Sequence, residues 1–298
     1  MNLDELGSSQ GGKPIKCQTS EIVDLWRYCA PVPQNGPGIC SICHGFVNKH
    51  RKLCSSCARL SLQLSGKLAP VIPITLCCAQ PPATSNSDPS FVDNSTLPSD
   101  CLRSDNGDAS LDLYSVMRYF KWHASSRRLL PYREYLARLL VEFISRHSAC
   151  IASCLGGPWD TVTHVPSSKA RQGTHPLEAV TEISSLLKIR CRRLLGPGSA
   201  TLSHCVADPD GYRVTEDVVG RRVLLVDDTY ASGARAQSAA ASLETAGALT
   251  VAIVPIVRLV DPGFSLGHGD FWVRVSSDRF SMDSCCLEEE IPRSSLSA

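Results

Sequence analysis

The chain has 298 residues, with 30 Lys plus Arg against 29 Asp plus Glu and a formal net charge of +1, so it lacks the global basic field of a dedicated nucleic-acid binder. No basic and then apolar leader is visible, and the longest apolar stretches, such as 248–257, are too short to cross a bilayer; a cytoplasmic protein with no membrane contact is expected. In that setting the 15 cysteines point to metal ligation and reduced thiols, not to a disulfide framework.

Residues 1–37 read as an N-terminal extension. Its first 19 residues are polar and Gly-rich and are expected to be disordered, and Ser20 to Cys29 carries Ile22, Val23, Leu25 and Trp26 as the apolar side of a short helix. Residues 38–60 form a second unit. Cys40-Ser-Ile-Cys43 and Cys54-Ser-Ser-Cys57 are two CxxC pairs ten residues apart, a spacing that predicts a small zinc ribbon in which two knuckles complete one tetrahedral S₄ site. A unit this short cannot bury enough apolar surface alone, so Zn²⁺ would supply its folding energy. His44 and His50 exceed the four ligands needed and read as bystanders. Lys49 to Lys52 (KHRK) permits a nucleic-acid contact or is a solvated loop.

Residues 76–108 are rich in Pro, Ser, Asn and Asp and lack periodicity, which predicts a linker or surface insertion; the adjacent Cys77 and Cys78 within it read as spare thiols. The large domain is expected over 111–280. Helical patterns cover Leu111 to Lys121 and Arg127 to Cys150, the second with a buried stripe of Leu136, Leu139, Leu140 and Phe143. Thr161 to Pro166 reads as a parallel strand. A loop with Lys169, Arg171 and His175 follows, then a helix from Pro176 to Arg193. Leu202 to Ala207 reads as an edge strand and Asp208 to Gly211 as a turn.

Three signals meet between Arg221 and Gly247. Val223 to Val226 is a continuous apolar run suited to a strand buried on both faces, with Asp227 and Asp228 at its carboxyl end. Thr229, Tyr230, Ala231, Ser232, Gly233 and Ala234 form a small, hydroxylic turn whose amides could converge on an anion. Ala236, Ala239, Ala240 and Leu243 then give a narrow helical face, and Gly247 the stop. Leu249 to Leu259 reads as a further buried strand and Phe271 to Val275 as a last one, before an acidic, loose tail from Ser284. Alternating strands and helices predict an open, mainly parallel α/β sheet preceded by the zinc ribbon.

The segment of apolar strand, two acids and small-residue turn resembles the phosphoribosyl pyrophosphate (PRPP) loop of type I phosphoribosyltransferases. The order of zinc module, Lys121 before a long helix, VP strand end and VDD loop is similar to the ComF competence-protein family and related actinobacterial phosphoribosyltransferase-like proteins, over most of residues 38–260. The resemblance implies the type I phosphoribosyltransferase fold. It implies that Asp227 and Asp228 contact ribose hydroxyls, directly or through Mg²⁺, while Tyr230 to Ala234 hold the 5'-phosphate. Lys169 and Arg171 would help hold pyrophosphate or form a solvated basic loop, and Lys121 would reach a phosphate or lie along the surface. Arg235 departs from the small residue usual in the family, and Arg171 to Pro176 departs from its helix-opening sequence. The expected activity is transfer of phosphoribose to a nitrogen acceptor with release of pyrophosphate. The alternative is a non-catalytic accessory protein that binds PRPP or a nucleotide and contacts DNA or a protein through its zinc module.

Overall fold

The computed structural model describes residues 29–79, 113, 117, 130–166, 177 and 191–287, with backbone alone for 130–135. The expected helix before Cys29, most of the 76–108 linker, and all but Leu177 and the last three residues of the 176–193 helix lie outside these residues.

A parallel four-stranded sheet organises the chain, in the order β1 (Thr75–Cys78), β6 (Thr250–Val260), β5 (Arg222–Tyr230), β2 (Thr161–His164). Val223 to Val226 are fully buried at its centre. Their side chains alternate across the pleat, and the two faces feed two different cores. Leu224 and Val226, with Ala252 and Val254 of β6, pack against α2 (Leu130–Arg146) through Leu136, Leu139, Leu140 and Phe143 and against α3 (Ser148–Leu155) through Ile151 and Leu155. Val223 and Leu225, with Val251 and Ile253, pack against Ala236, Ala239, Ala240 and Leu243 of α4 (Ala234–Thr245). Burying each Val or Leu contributes roughly 1.5–3 kcal/mol, which is why an uninterrupted apolar run can only be a central strand here.

The four cysteines of the two CxxC pairs belong to that second core, beside Val223, Leu225 and Tyr230. The short helix α1 (Ser55–Gln63) begins at Cys54, and Leu60 packs with Ala234 at the start of α4. Gln237 of α4 locks the junction: its amide donates to Ala69 O at 2.9 Å and accepts from Ala69 N at 2.9 Å. A small antiparallel pair, β3 (Leu195–Pro197) with β4 (Tyr212–Val214), lies beside α4. The one-turn helix Pro209–Gly211 leads into β4 and is held to α4 by Ser242 Oγ donating to Pro209 O at 2.5 Å.

Four expectations need correction. Phe271 to Val275 is not a strand but part of α5 (Leu266–Ser276): Ser265 caps its first turn, and Phe271 and Val275, one turn apart, are the buried face. Residues 202–207 form a tight turn closed by a single Ser203–Val206 bridge, not a strand. Leu76 to Cys78, read as the start of the linker, are the end of β1; Leu76 is fully buried, and its register with Arg258 of β6 gives these residues their ladder partners. The tail is not loose from Ser284, because Cys285 and Cys286 are buried against α2 and α3.

Candidate metal centre and anion-binding loop

The first knuckle turns back at Cys40 to Gly45. Cys40 N donates to Gly45 O at 2.9 Å and His44 N to Cys40 O at 3.0 Å, and His44 takes a left-handed φ of 55°. In the second, Cys54 caps α1 by accepting from Cys57 N at 3.4 Å, and its own N–H donates to Cys40 Sγ at 3.3 Å. The four buried sulfurs lie within 4.8 Å of one another, with Cys43 Sγ and Cys54 Sγ 3.7 Å apart. A tetrahedral site with Zn–S of roughly 2.3 Å has S···S edges of roughly 3.8 Å, so four sulfurs and amide donors of this geometry fit a structural zinc ion. Of the two bystander histidines, His44 is buried, with Nδ1 3.0 Å from Pro33 O, and His50 is exposed.

Arg258 links this centre to the end of β5. It leaves β6 opposite Tyr230, donates from Nη1 to Tyr230 O at 3.3 Å and also to Leu259 O, reaches Cys43 Sγ with Nη2 at 3.7 Å, and stacks over the Tyr230 ring. Gly45 makes room for it, since a Cβ there would meet Nη2 at 3.0 Å. Burial alone would lower the Arg258 pKa, but the Cys43 and Cys54 sulfurs outweigh it and keep the guanidinium charged. Hydrogen bonds from Cys40 first, then Cys54 and Cys57, with Arg258 assisting, hold the Cys43 thiol well below its ordinary range. A guanidinium beside a four-thiolate site offsets the negative charge that the metal leaves uncompensated.

Asp227 and Asp228 stand where β2 stops. The ladder with β2 ends at His164–Val226, and Val165 N makes the last bond to Val226 O, whereas β6 accompanies β5 through Tyr230. The two acids therefore lie inside β5 but past its neighbour, at 9% and 8% exposure. Asp227 Oδ1 accepts from Asp228 N at 2.9 Å. Thr229 and Tyr230 continue the strand, and the Tyr230 side chain is buried beneath the turn. Gly233, at φ 84°, is the N-cap of α4 and brings no capping side chain, while the amides of Ala231, Ser232 and Gly233 donate to no group among the described residues. Ser232 Oγ donates to His204 O, which ties the turn to residues 203–206. Gly233 is required by packing as well as by its dihedral: a Cβ there would come within 2.6 Å of Tyr230 Cε1 and closer still to Cζ and Oη. A larger residue at 233 would therefore collide with Tyr230 before it met an incoming anion.

Tyr212, at the start of β4, escaped the sequence reading. It is 8% exposed, its hydroxyl has no hydrogen-bond partner among the described residues, and burial followed by the Asp227 carboxylate pushes its pKa up, with Arg235 opposing. A lone Tyr in a three-residue strand carries no motif; only the fold brings it to the acid pair. Lys121, Lys169, Arg171 and His175 lie outside the described residues. No third ligating side chain among the described residues joins Asp227 and Asp228 in a metal-holding group. An ion there would take most of its ligands from water or substrate, the usual habit of Mg²⁺.

Fold and site together define an α/β protein with a mainly parallel sheet, a four-cysteine centre suited to a structural metal, and a strand-end acid pair followed by open amides. No family model matches the chain, and no curated protein matches it. Among the described residues no helix is long and apolar enough to cross a membrane.

Proposed function

We propose that the protein is a ComF-like, PRPP-binding member of the type I phosphoribosyltransferases that transfers phosphoribose to a nitrogen acceptor. The observation that carries this reading is the run from Asp227 to Gly233: two carboxylates beyond the end of β2, then unspent amides at the start of α4. In parallel α/β sheets, ligands bind beyond the carboxyl ends of the strands, and amides at a helix start complement a phosphate. The Ala231 to Gly233 amides hold the 5'-phosphate, and the two carboxylates accept from the ribose hydroxyls. Mg²⁺ bound with the diphosphate supplies neutralisation of the departing charge. The protein's own part is to orient C1 toward the acceptor and hold the ribose still while the C1–O bond breaks and the C–N bond forms. The zinc ion is structural: through Cys43, Arg258 and Tyr230 it fixes the floor under the anion-binding turn.

Acceptor-dependent release of pyrophosphate from PRPP and Mg²⁺, across purine, pyrimidine and small amine acceptors, tests the activity. Turnover lost in Asp227→Asn supports it. Tight PRPP binding with no turnover on any acceptor favours the accessory reading instead. One observation supports that second reading: Lys49, His50, Arg51 and Lys52 are all exposed on the cysteine module, a short basic surface open to DNA or an acidic protein.

A further inference from the structure

A second group of ligating side chains lies on the opposite face of the sheet. The ligand atoms of His147, Cys150 and Cys285 fall within 4.8 Å of one another. Cys154 and Cys286 pack against the same core. These residues come from two distant parts of the chain. His147, Cys150 and Cys154 are spaced i, i+3 and i+7 around α3 and share one face of it, and Cys285 and Cys286 arrive from the segment after α5.

The histidine is already oriented. Its Nε2 lies 2.9 Å from Met282 O. A carbonyl only accepts, so Nε2 carries the proton and the neutral ring keeps its lone pair on Nδ1. Metal-ligating histidines are held in this way, with the non-ligating N–H donated to a backbone carbonyl. The ring also packs against Phe143, with centroids 4.7 Å apart and planes tilted by 49°, which restricts its rotation.

Residues 277–287 contain no helix or strand. Arg146 pairs with Asp283, but that pair is 45% and 79% exposed and contributes little. Met282, Cys285 and Cys286 are buried against α2 and α3 all the same. We propose that His147 Nδ1, Cys150 Sγ and Cys285 Sγ form a second zinc site, its fourth position filled by Cys154 or Cys286, that staples the C-terminal segment onto α2 and α3. Three thiolates and one imidazole are a soft donor set that selects Zn²⁺ over Mg²⁺ or Ca²⁺. A metal cross-link between residues this far apart would add a covalent-like tie to the apolar contacts that Met282, Cys285, Cys286, Phe280 and Leu287 already make.

Zinc per chain, measured by mass spectrometry on full-length protein purified under reducing conditions, tests this. The proposal expects about two zinc ions in the wild type and about one in Cys150→Ser/Cys285→Ser, whose remaining ion is the four-cysteine one. A wild type with about one zinc, or a double variant that keeps both, overturns it. If the double variant is insoluble, Co²⁺ titration of demetallated wild type decides. Two saturations, one with the visible spectrum of a mixed nitrogen and sulfur tetrahedral site, support the proposal, and a single all-sulfur saturation refutes it. A Cys150–Cys285 disulfide in the non-reduced protein, found by peptide mapping, also refutes it.

Discussion

Gly233→Ala tests whether the turn before α4 is built over Tyr230. The substitution acts twice. At φ 84° an L-residue sits in the left-handed region, which costs about 1–2 kcal/mol. Its Cβ would also overlap the Tyr230 ring, and Tyr230 is 1% exposed between Arg258 and Gln237 and has nowhere to retreat. Overpacking of this kind adds about 1–3 kcal/mol. The total is about 2–5 kcal/mol, or a fall in Tm of roughly 4–20 °C at this size. Denaturant unfolding of Gly233→Ala in the wild-type and Tyr230→Val backgrounds separates the two terms. In Tyr230→Val the ring is gone, so the second cost disappears and the total should fall to about 1–2 kcal/mol. Equal cost in both backgrounds would refute the packing argument, and a loss under about 0.5 kcal/mol in the wild-type background would refute the left-handed turn as well.

Cys40→Ser/Cys54→Ser should remove about one zinc ion per chain and lower the unfolding temperature, because the four cysteines belong to the core beneath β5; metal analysis with calorimetry checks both. Arg258→Met should lower zinc affinity at the four-cysteine site by roughly ten- to a hundredfold, read by competition with a chelator, since it removes the cation beside Cys43. Tyr212→Phe should leave stability unchanged or raise it by up to about 1 kcal/mol, because its buried hydroxyl has no hydrogen-bond partner among the described residues; a loss of more than about 1 kcal/mol in denaturant unfolding would show that the hydroxyl is bonded.

Much of this was legible in the chain. Val223 to Val226 could only be a central strand, the alanine stripe from Ala236 to Leu243 could only lie close to a sheet, and two CxxC pairs ten residues apart bring four sulfurs together whatever surrounds them. Local signals failed where a neighbour decides. Phe271 to Val275 has strand-like residues, yet Ser265 as a cap and burial at every fourth position make it helical. The acid pair looked terminal because the apolar run ends at Val226; β5 continues because β6 runs beside it to Arg258. Arg258, Tyr212 and the meeting of His147 with Cys285 were beyond reach for one reason, since each depends on neighbours 15 or more positions away in the chain, which carry no spacing signature.

Titration calorimetry with PRPP and Mg²⁺ tests most directly whether PRPP binds at the Asp227 to Gly233 run. Wild-type protein should bind at one site per chain. Asp227→Asn/Asp228→Asn should lose at least about tenfold in affinity, because two ribose-binding acceptors are removed, while its unfolding transition stays close to wild type. Equal PRPP affinity in the two proteins, or no binding by the wild type, would contradict the assignment.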